Sequence, residues 1–299
     1  MGIETDIKQQ VKAFYDQVGW QEVGEGVYQN ARYEDLRPVA RDYIHRCHLR
    51  VLRHLKPSGR YLLDAGCGPI QYPEYLEYSR GYQRRVCADI SITAIKEARR
   101  RIGEHGLFVV CDIANLPFGV EVFDGAVSLH TIHHLPEGEH LRAYGELCRT
   151  LASGSAATVV NGWPGSQLMR WAEPFIYLSR RIKGIGRRLS GQTKTLPERE
   201  AEADTSPVAP EGLPRSPADR RPKGTFTSRH DAAWVKGEVG KRMRVEIWVW
   251  RSVSVRFLRA LIHPWLGGRL WLRLLFGLEE RYPHWFGENG QYPLIVIKK

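Results

Sequence analysis

Leu63-Asp64-Ala65-Gly66-Cys67-Gly68-Pro69 is the stretch on which the reading of this chain turns. An apolar run, Tyr61-Leu62-Leu63, feeds into it. Glycines at such a point let the backbone turn tightly and pass close to a ligand. A dinucleotide site would place a third glycine three residues on, and position 71 is Gln. That departure speaks against a pyrophosphate seated on the following helix.

Short apolar runs repeat beyond the glycines. They cover Arg85 to Asp89, Leu107 to Asp112, Phe123 to Leu129 and Ala156 to Val160. Helical patterns lie between them, at Ile92 to Ile102 and His140 to Leu151. Alternation of this kind predicts βαβ units and a parallel sheet. Two later runs, Arg244 to Trp250 and Tyr292 to Ile297, predict a sixth and a closing strand. In an open α/β sheet the ligand crevice lies at the carboxyl ends of the strands.

The acids at those ends define the ligand. Asp89 closes the second run about twenty residues past Gly68, where a carboxylate can accept from both hydroxyls of a ribose. Asp112 follows the third run, where it can accept from an exocyclic adenine amine. Asp64 sits beside the glycine turn and can hold that loop or, through water, a ligand ammonium. The ligand implied carries an adenosine and a cation and lacks phosphate.

These motifs resemble class I S-adenosylmethionine-dependent methyltransferases, most closely the quinone and small-molecule subgroup. The resemblance covers about residues 59–163. Phe123-Asp124-Gly125-Ala126-Val127-Ser128-Leu129 looks like the family's fourth-strand motif, with His133-His134-Leu135-Pro136 similar to the segment after it. Glu146 to Gly154 looks like the helix that precedes the fifth strand. The resemblance implies a Rossmann-like α/β fold: a seven-stranded, mostly parallel sheet with helices on both faces and the last strand antiparallel. It implies S-adenosyl-L-methionine as cofactor. Its contacts would be Asp64, Ala65, Gly66, Cys67 and Gly68 on the loop, Asp89 and Ile90 at the ribose, Asp112 and Ile113 at the adenine, and Leu129 and His130 after the fourth strand. Tyr15 and Tyr28 would join them from an N-terminal lid, which family members often have.

Four segments follow: an N-terminal helical lid at 1–56, the cofactor-binding core at 57–163, a basic insertion at 164–243, and C-terminal strands and cap helices at 244–299. Within the insertion, Ser166 to Leu189 reads as a basic amphipathic helix. Pro197, Pro207, Pro210, Pro214, Pro217 and Pro222 make about 191–223 a disordered loop. A helix is also expected over 227–237, and another over 252–279, broken near His263-Pro264.

Tyr15, Trp20 and Tyr28 have two readings: a lid whose aromatic faces attract a sulfonium, or plain packing of N-terminal helices on the sheet. His130 is the candidate general base, an imidazole titrating near neutrality beside an acceptor hydroxyl. His130, His133 and His134 lack a completing local ligand, so no metal is expected. Leu266 to Leu278, with Arg269 and Arg273, reads either as a buried cap helix or as an interfacial helix meeting lipid phosphates. The cap takes precedence, since amphipathic helices usually face a core.

The formal net charge is +11. Such an excess favours an anionic partner or sits in the insertion without specific meaning. A nucleic-acid methyltransferase is the alternative function, with a non-catalytic binding protein behind it. Ser128-Leu129-His130-Thr131 is not the Asn/Asp-Pro-Pro-aromatic block of amino-methylating enzymes, no Pro-Cys dipeptide occurs, and no nucleic-acid module is recognisable. A small or amphiphilic acceptor is therefore expected, with peripheral contact to an anionic membrane as the alternative role of 266–278. Five cysteines without Cys-x-x-Cys spacing point to a reducing compartment. The first residues lack the pattern of a secretory signal, and no run of about 18 apolar residues occurs. A cytoplasmic protein is expected, with the inner membrane surface as the place of any peripheral contact.

Overall fold

The computed structural model describes residues 2–20, 22–24, 27–28, 34–189 and 225–299. The loop expected over 191–223 lies outside the described residues.

Seven strands form one sheet: β1 (Gly59–Ala65), β2 (Tyr82–Asp89), β3 (Gly106–Val110), β4 (Gly125–Leu129), β5 (Ala156–Val160), β6 (Arg244–Arg251) and β7 (Tyr292–Lys298). Their order is β3-β2-β1-β4-β5-β7-β6. The first five pair in parallel, and β7 runs antiparallel between β5 and β6. This is the mostly parallel sheet with an antiparallel last strand that the motifs imply. The order reverses between β1 and β4, so their carboxyl ends open the crevice in which such sheets bind ligands.

Alternate residues along each strand enter different cores, as the two-residue period of a strand requires. Leu63, Ala65, Val86, Ala88, Ala126, Val159 and Ile295 join one cluster. Leu62, Cys87, Val127, Val160 and Leu294 join the other. The central strands, buried on both faces, read as continuous apolar runs, whereas the edge strand β3 leaves Leu107 and Val110 exposed.

The main helices are α1 (Gly2–Phe14), α2 (Arg41–His48), α3 (Ile92–Ile102), α4 (His140–Thr150), α5 (Gln167–Leu189), α6 (Val255–Leu261), α7 (Gly268–Arg281) and α8 (Pro283–Asn289). Ser91 caps α3, its Oγ accepting from Ala94 N at 3.1 Å. Buried Ala94, Ile95 and Ala98 then line the inner face of that helix.

Several boundaries differ from the expected ones. The third strand stops at Val110, because Cys111 and Asp112 turn away after Cys111 N bonds Asp89 O at 3.0 Å. Phe123 makes only an isolated bridge to Leu151, so β4 starts at Gly125. Over 227–237 only Ala232–Trp234 is α-helical, capped by Asp231 and continued as a π-turn, Val235–Val239. Between α6 and α7 the chain passes through a 3-10 turn, Pro264–Leu266, and left-handed Gly267 (φ 67°).

One buried ion pair braces the glycine loop. Asp64 Oδ2 accepts from Arg85 Nε at 3.0 Å and Nη2 at 2.5 Å, both residues being almost fully buried. Arg85 Nη1 also donates to Tyr75 O, so one guanidinium ties β1 and β2 to the chain beyond the loop. Arg85→Met removes one partner and leaves a buried carboxylate, which is expected to cost about 3–5 kcal/mol. Urea unfolding tests this; a loss under about 1 kcal/mol would place it among ordinary surface pairs.

Candidate functional site

The tips of β1, β2, β3 and β4 converge on the glycine loop. Gly66 (φ 78°) and Gly68 (φ 54°) both lie in the left-handed region. A Cβ on Gly66 would stand 2.1 Å from Thr131 Cγ2, so this turn has no room for a side chain. Ile70 follows at φ 53° and is fully buried. A β-branched residue there stores strain of a kind that concentrates at functional sites.

The amide groups of the loop are already engaged. Gly66 N and Cys67 N donate to Ala88 O at 2.7 and 3.2 Å. Gly68 N donates to Asp89 Oδ2 at 2.9 Å. A phosphate would need those donors, so the loop is not a phosphate cradle. What the crevice offers is acceptors. Asp89 also takes Ser91 N on Oδ1 at 2.9 Å, and each of its oxygens keeps a further lone pair. Burial pushes its carboxyl up to about 6, against the pull of the Ser91 and Gly68 amides. Asp112, beyond β3, takes Ala114 N on Oδ1 at 2.9 Å and Lys8 Nζ on Oδ2 at 2.5 Å. Carboxylates without loop donors fit a ligand that presents hydroxyls, an amine and a cation.

The expected residues fall as follows. Ala65 ends β1 and is fully buried. Cys67 is buried too, and burial raises its thiol well above the usual range. Ile90 follows Asp89 half-buried. Ile113 enters the first core cluster, and Leu129 ends β4 half-buried. Tyr28 lies in a two-stranded ribbon, Glu22–Gly24 with Val27–Tyr28; its side chain is outside the described residues. Tyr15 begins the π-turn Tyr15–Gly19 that extends α1.

That N-terminal segment lies across the strand tips. Lys8 reaches Asp112 and also pairs with Glu139. Asp16 Oδ1 accepts from Ser91 Oγ at 2.5 Å. Tyr15 stacks on Trp20 with ring centroids 5.0 Å apart, and its hydroxyl lies 2.8 Å from His134 Nε2. A Cβ on Gly68 would stand 3.1 Å from the Trp20 indole. Of these contacts, the reading of the sequence found Tyr15 and Trp20 through their aromatic character. It missed Lys8, Asp16, Ser91 and Thr131. Lone polar residues at those places carry no pattern that separates them from a solvated surface.

His130 follows β4 at φ 55°, its backbone N–H donating to Val160 O at 2.7 Å. Its ring packs against Trp250 and Tyr292, at centroid distances of 5.2 and 5.6 Å. Burial, then the charge of Arg251, holds the imidazole at about 3. The expectation of titration near neutrality is therefore corrected: this group is neutral across the physiological range. Beside it lies a buried pair, Glu34 and Arg251, joined by His48 Nε2 at 3.6 Å from Glu34. Beyond β4 and β5, His133 Nδ1 lies 3.2 Å from Asn161 Oδ1, and Asn161 Nδ2 donates to Tyr144 Oη at 3.4 Å. These three residues line a cavity of about 20 Å³, together with Ser228, Arg229 and His230. It is large enough for about one water.

Residues 63–159 match the family model described as a methyltransferase domain. The chain is 30% identical over 154 residues to probable tRNA methyltransferase 9B of Mus musculus, covering 50% of this chain and 30% of that protein. It is 30% identical over 132 residues to phthiotriol/phenolphthiotriol dimycocerosates methyltransferase 1 of Mycobacterium ulcerans (strain Agy99), covering 44% of this chain and 48% of that one. The chain therefore spans less than half the length of both relatives. Among solved structures, the [4+2]-cyclase SpnF aligns over 98% of this chain and 96% of its own, with TM-score 0.50 and 18% identity. Residues 63–159 thus carry a methyltransferase-domain pattern, and the whole chain shares its Rossmann-like fold with SpnF.

Two outcomes follow from this geometry. Above pH 6 the Asp89 carboxylate can accept two hydroxyls; below it, protonation removes part of that capacity. Affinity for S-adenosylmethionine is expected to fall as pH drops from 7 to 5. Asp89→Asn should weaken it about 10- to 100-fold and flatten that pH dependence, both read by calorimetry. The native carboxyl holds its proton to higher pH than the unfolded one. The same group therefore withdraws stability as pH rises from about 4 to about 6. Separately, Lys8 holds Asp112 before any ligand arrives. Lys8→Met should tighten cofactor binding by about two- to fivefold, the scale of a partly exposed ion pair. Weaker binding would mean that Lys8 secures a bound cofactor instead.

Proposed function

We propose that this chain is an S-adenosylmethionine-dependent methyltransferase acting on a small or amphiphilic acceptor. The observation that carries the reading is the pair of carboxylates, Asp89 and Asp112, at adjacent strand tips beside a glycine loop whose amides are already bonded. That donor set suits a ribose, an adenine amine and a sulfonium, and does not suit a pyrophosphate. The matched methyltransferase domain supports it.

When bound, the cofactor would supply an electrophilic methyl on a sulfonium. The residues of this chain would do the rest. Asp89 would hold the ribose hydroxyls and Asp112 the adenine amine once Lys8 withdraws. Gly66 and Gly68 would let the methionine part pass close to the backbone. Tyr15 and Trp20 would cover the site, excluding water and presenting aromatic faces to the cation. His130, held neutral, would accept a hydrogen bond from the acceptor and align it; as a base it is weak. Such catalysis rests on alignment in a dry site. The cavity at His133, Asn161 and Tyr144 is too small for an acceptor, so its wall of Ser228 to His230 would move with acceptor entry.

An amphiphilic acceptor is favoured by the similarity to a mycobacterial dimycocerosate methyltransferase. The similarity to a tRNA methyltransferase, together with the +11 charge, supports a nucleic-acid acceptor as the second reading. One assay separates them. The full chain is incubated with methyl-labelled S-adenosylmethionine and, in parallel, lipid extract, small-molecule extract and total tRNA. Label is expected in the lipid or small-molecule fraction, with His130→Ala slower by about tenfold through loss of alignment. Label in tRNA alone would establish the second reading. Bound cofactor with no label in any fraction would favour a binding role or, as in SpnF, another chemistry on this fold.

A further inference from the structure

The exposed apolar side chains of this protein are concentrated on α5 and on the α7–α8 segment. On α5, Trp171, Phe175, Leu178 and Ile182 fall at helical spacing on one stripe, and all face water. The opposite face is used for packing: Ile176 is buried, and Met169 lies against the cluster formed by α2, α6 and α7. On α7, Leu272 and Phe276 enter that same cluster, whereas Leu270, Trp271, Leu274 and Leu278 point outward. The expected cap helix is thus apolar on both sides and buries only one. Trp265, just before α7, is 78% exposed and Trp271 62%. Trp171 of α5 meets Trp285 of α8, with centroids 6.4 Å apart, so the α5 stripe adjoins the exposed aromatic of α8. An apolar face of this extent is unusual on a free surface and marks an interaction site.

The charges around it select the occupant. The carboxylates of α5 and α7 are Glu173, Glu279 and Glu280, and each is already paired. Glu173 is held by Arg256, Glu279 by Arg50 and Glu280 by Arg50 and Arg53. Arg170, Arg181, Arg269 and Arg273 are exposed and make no ion pair among the described residues. We infer that this face docks on an anionic membrane surface, its tryptophans and leucines entering the headgroup–acyl boundary and its arginines meeting lipid phosphates. Tryptophan with leucine on one side and arginine on the other is the composition of interfacial helices. No helix among the described residues is long and apolar enough to cross a membrane, so the contact is peripheral. The chain's own 190–224 segment is a poor substitute: its large apolar residues are Leu196, Val208 and Leu213, and it has no aromatic residue. A second copy would set unpaired arginines against the same arginines across a two-fold axis.

Flotation of the full chain, without cofactor, tests the inference with phosphatidylcholine vesicles and with phosphatidylcholine–phosphatidylglycerol vesicles. Retention on the anionic vesicles is expected, reduced by salt, with little on the neutral ones. The double variants Trp271→Ser/Leu274→Ser and Arg269→Glu/Arg273→Glu should each lower retention by roughly tenfold or more, with circular dichroism unchanged. In the unmodified protein, lipids brominated near the headgroup should quench tryptophan emission. Absence of retention on anionic vesicles would overturn the inference, as would retention that both variants leave intact. A dimer abolished by Trp271→Ser, in a protein that ignores vesicles, would assign the face to a second copy instead.

Discussion

Everything at the crevice depends on one buried carboxylate. Asp89 joins the glycine loop to the N-terminus of α3, taking Gly68 N on one oxygen and Ser91 N on the other. Without it, two amides at the most tightly turned part of the chain would be left unbonded in a dry place, at a cost of about 1–3 kcal/mol each. The same burial raises its proton affinity. A carboxylate in that state gains from every added donor, and hydroxyl donors can be accepted without displacing the two amides. The structural role of Asp89 and its proposed role toward a ribose are thus the same property, met first by the backbone and then by a ligand.

Asp64 shows the contrast. It lies on the neighbouring strand and is as deeply buried, yet Arg85 engages it from the same face of the sheet. Its charge is spent on holding the loop rather than on addressing a ligand. Asp112 is intermediate: its partner, Lys8, comes from a helix that lies across the crevice instead of belonging to the sheet. Sites bounded by such elements can be remodelled more cheaply than sites bounded by strands, because few buried contacts are lost. The covering segment carries its own polar tethers, at Lys8, Tyr15 and Asp16, beside buried Val11 and Phe14.

The sheet was legible because its central strands are buried on both faces and so carry apolar runs, such as Tyr61-Leu62-Leu63 and Ala156 to Val160. The glycine loop was legible because Gly66 and Gly68 sit in the left-handed region that glycine favours, and at Gly66 no Cβ fits against Thr131. The placement of Asp89 and Asp112 followed from strand ends alone. Other features could not be read in this way. Lys8 and Asp16 reach the crevice through the tertiary placement of α1, which no local pattern encodes. The low proton affinity of His130 comes from burial and from Arg251, more than a hundred residues away in sequence. Which face of α7 turns outward was not legible for a simpler reason: periodicity tells which residues share a face, and Leu270, Leu274 and Leu278 share one as cleanly as core residues would. Only the three-dimensional arrangement shows that the core lies behind Leu272 and Phe276.

A crystal structure of the chain with S-adenosylhomocysteine, the cofactor without its methyl group, tests the central claim most directly. Both ribose hydroxyls should lie within hydrogen-bond distance of Asp89, with the adenine amine on Asp112 and Lys8 withdrawn. Density for the nucleoside elsewhere, or a crevice still closed by Lys8 on Asp112 at saturating ligand, would contradict it.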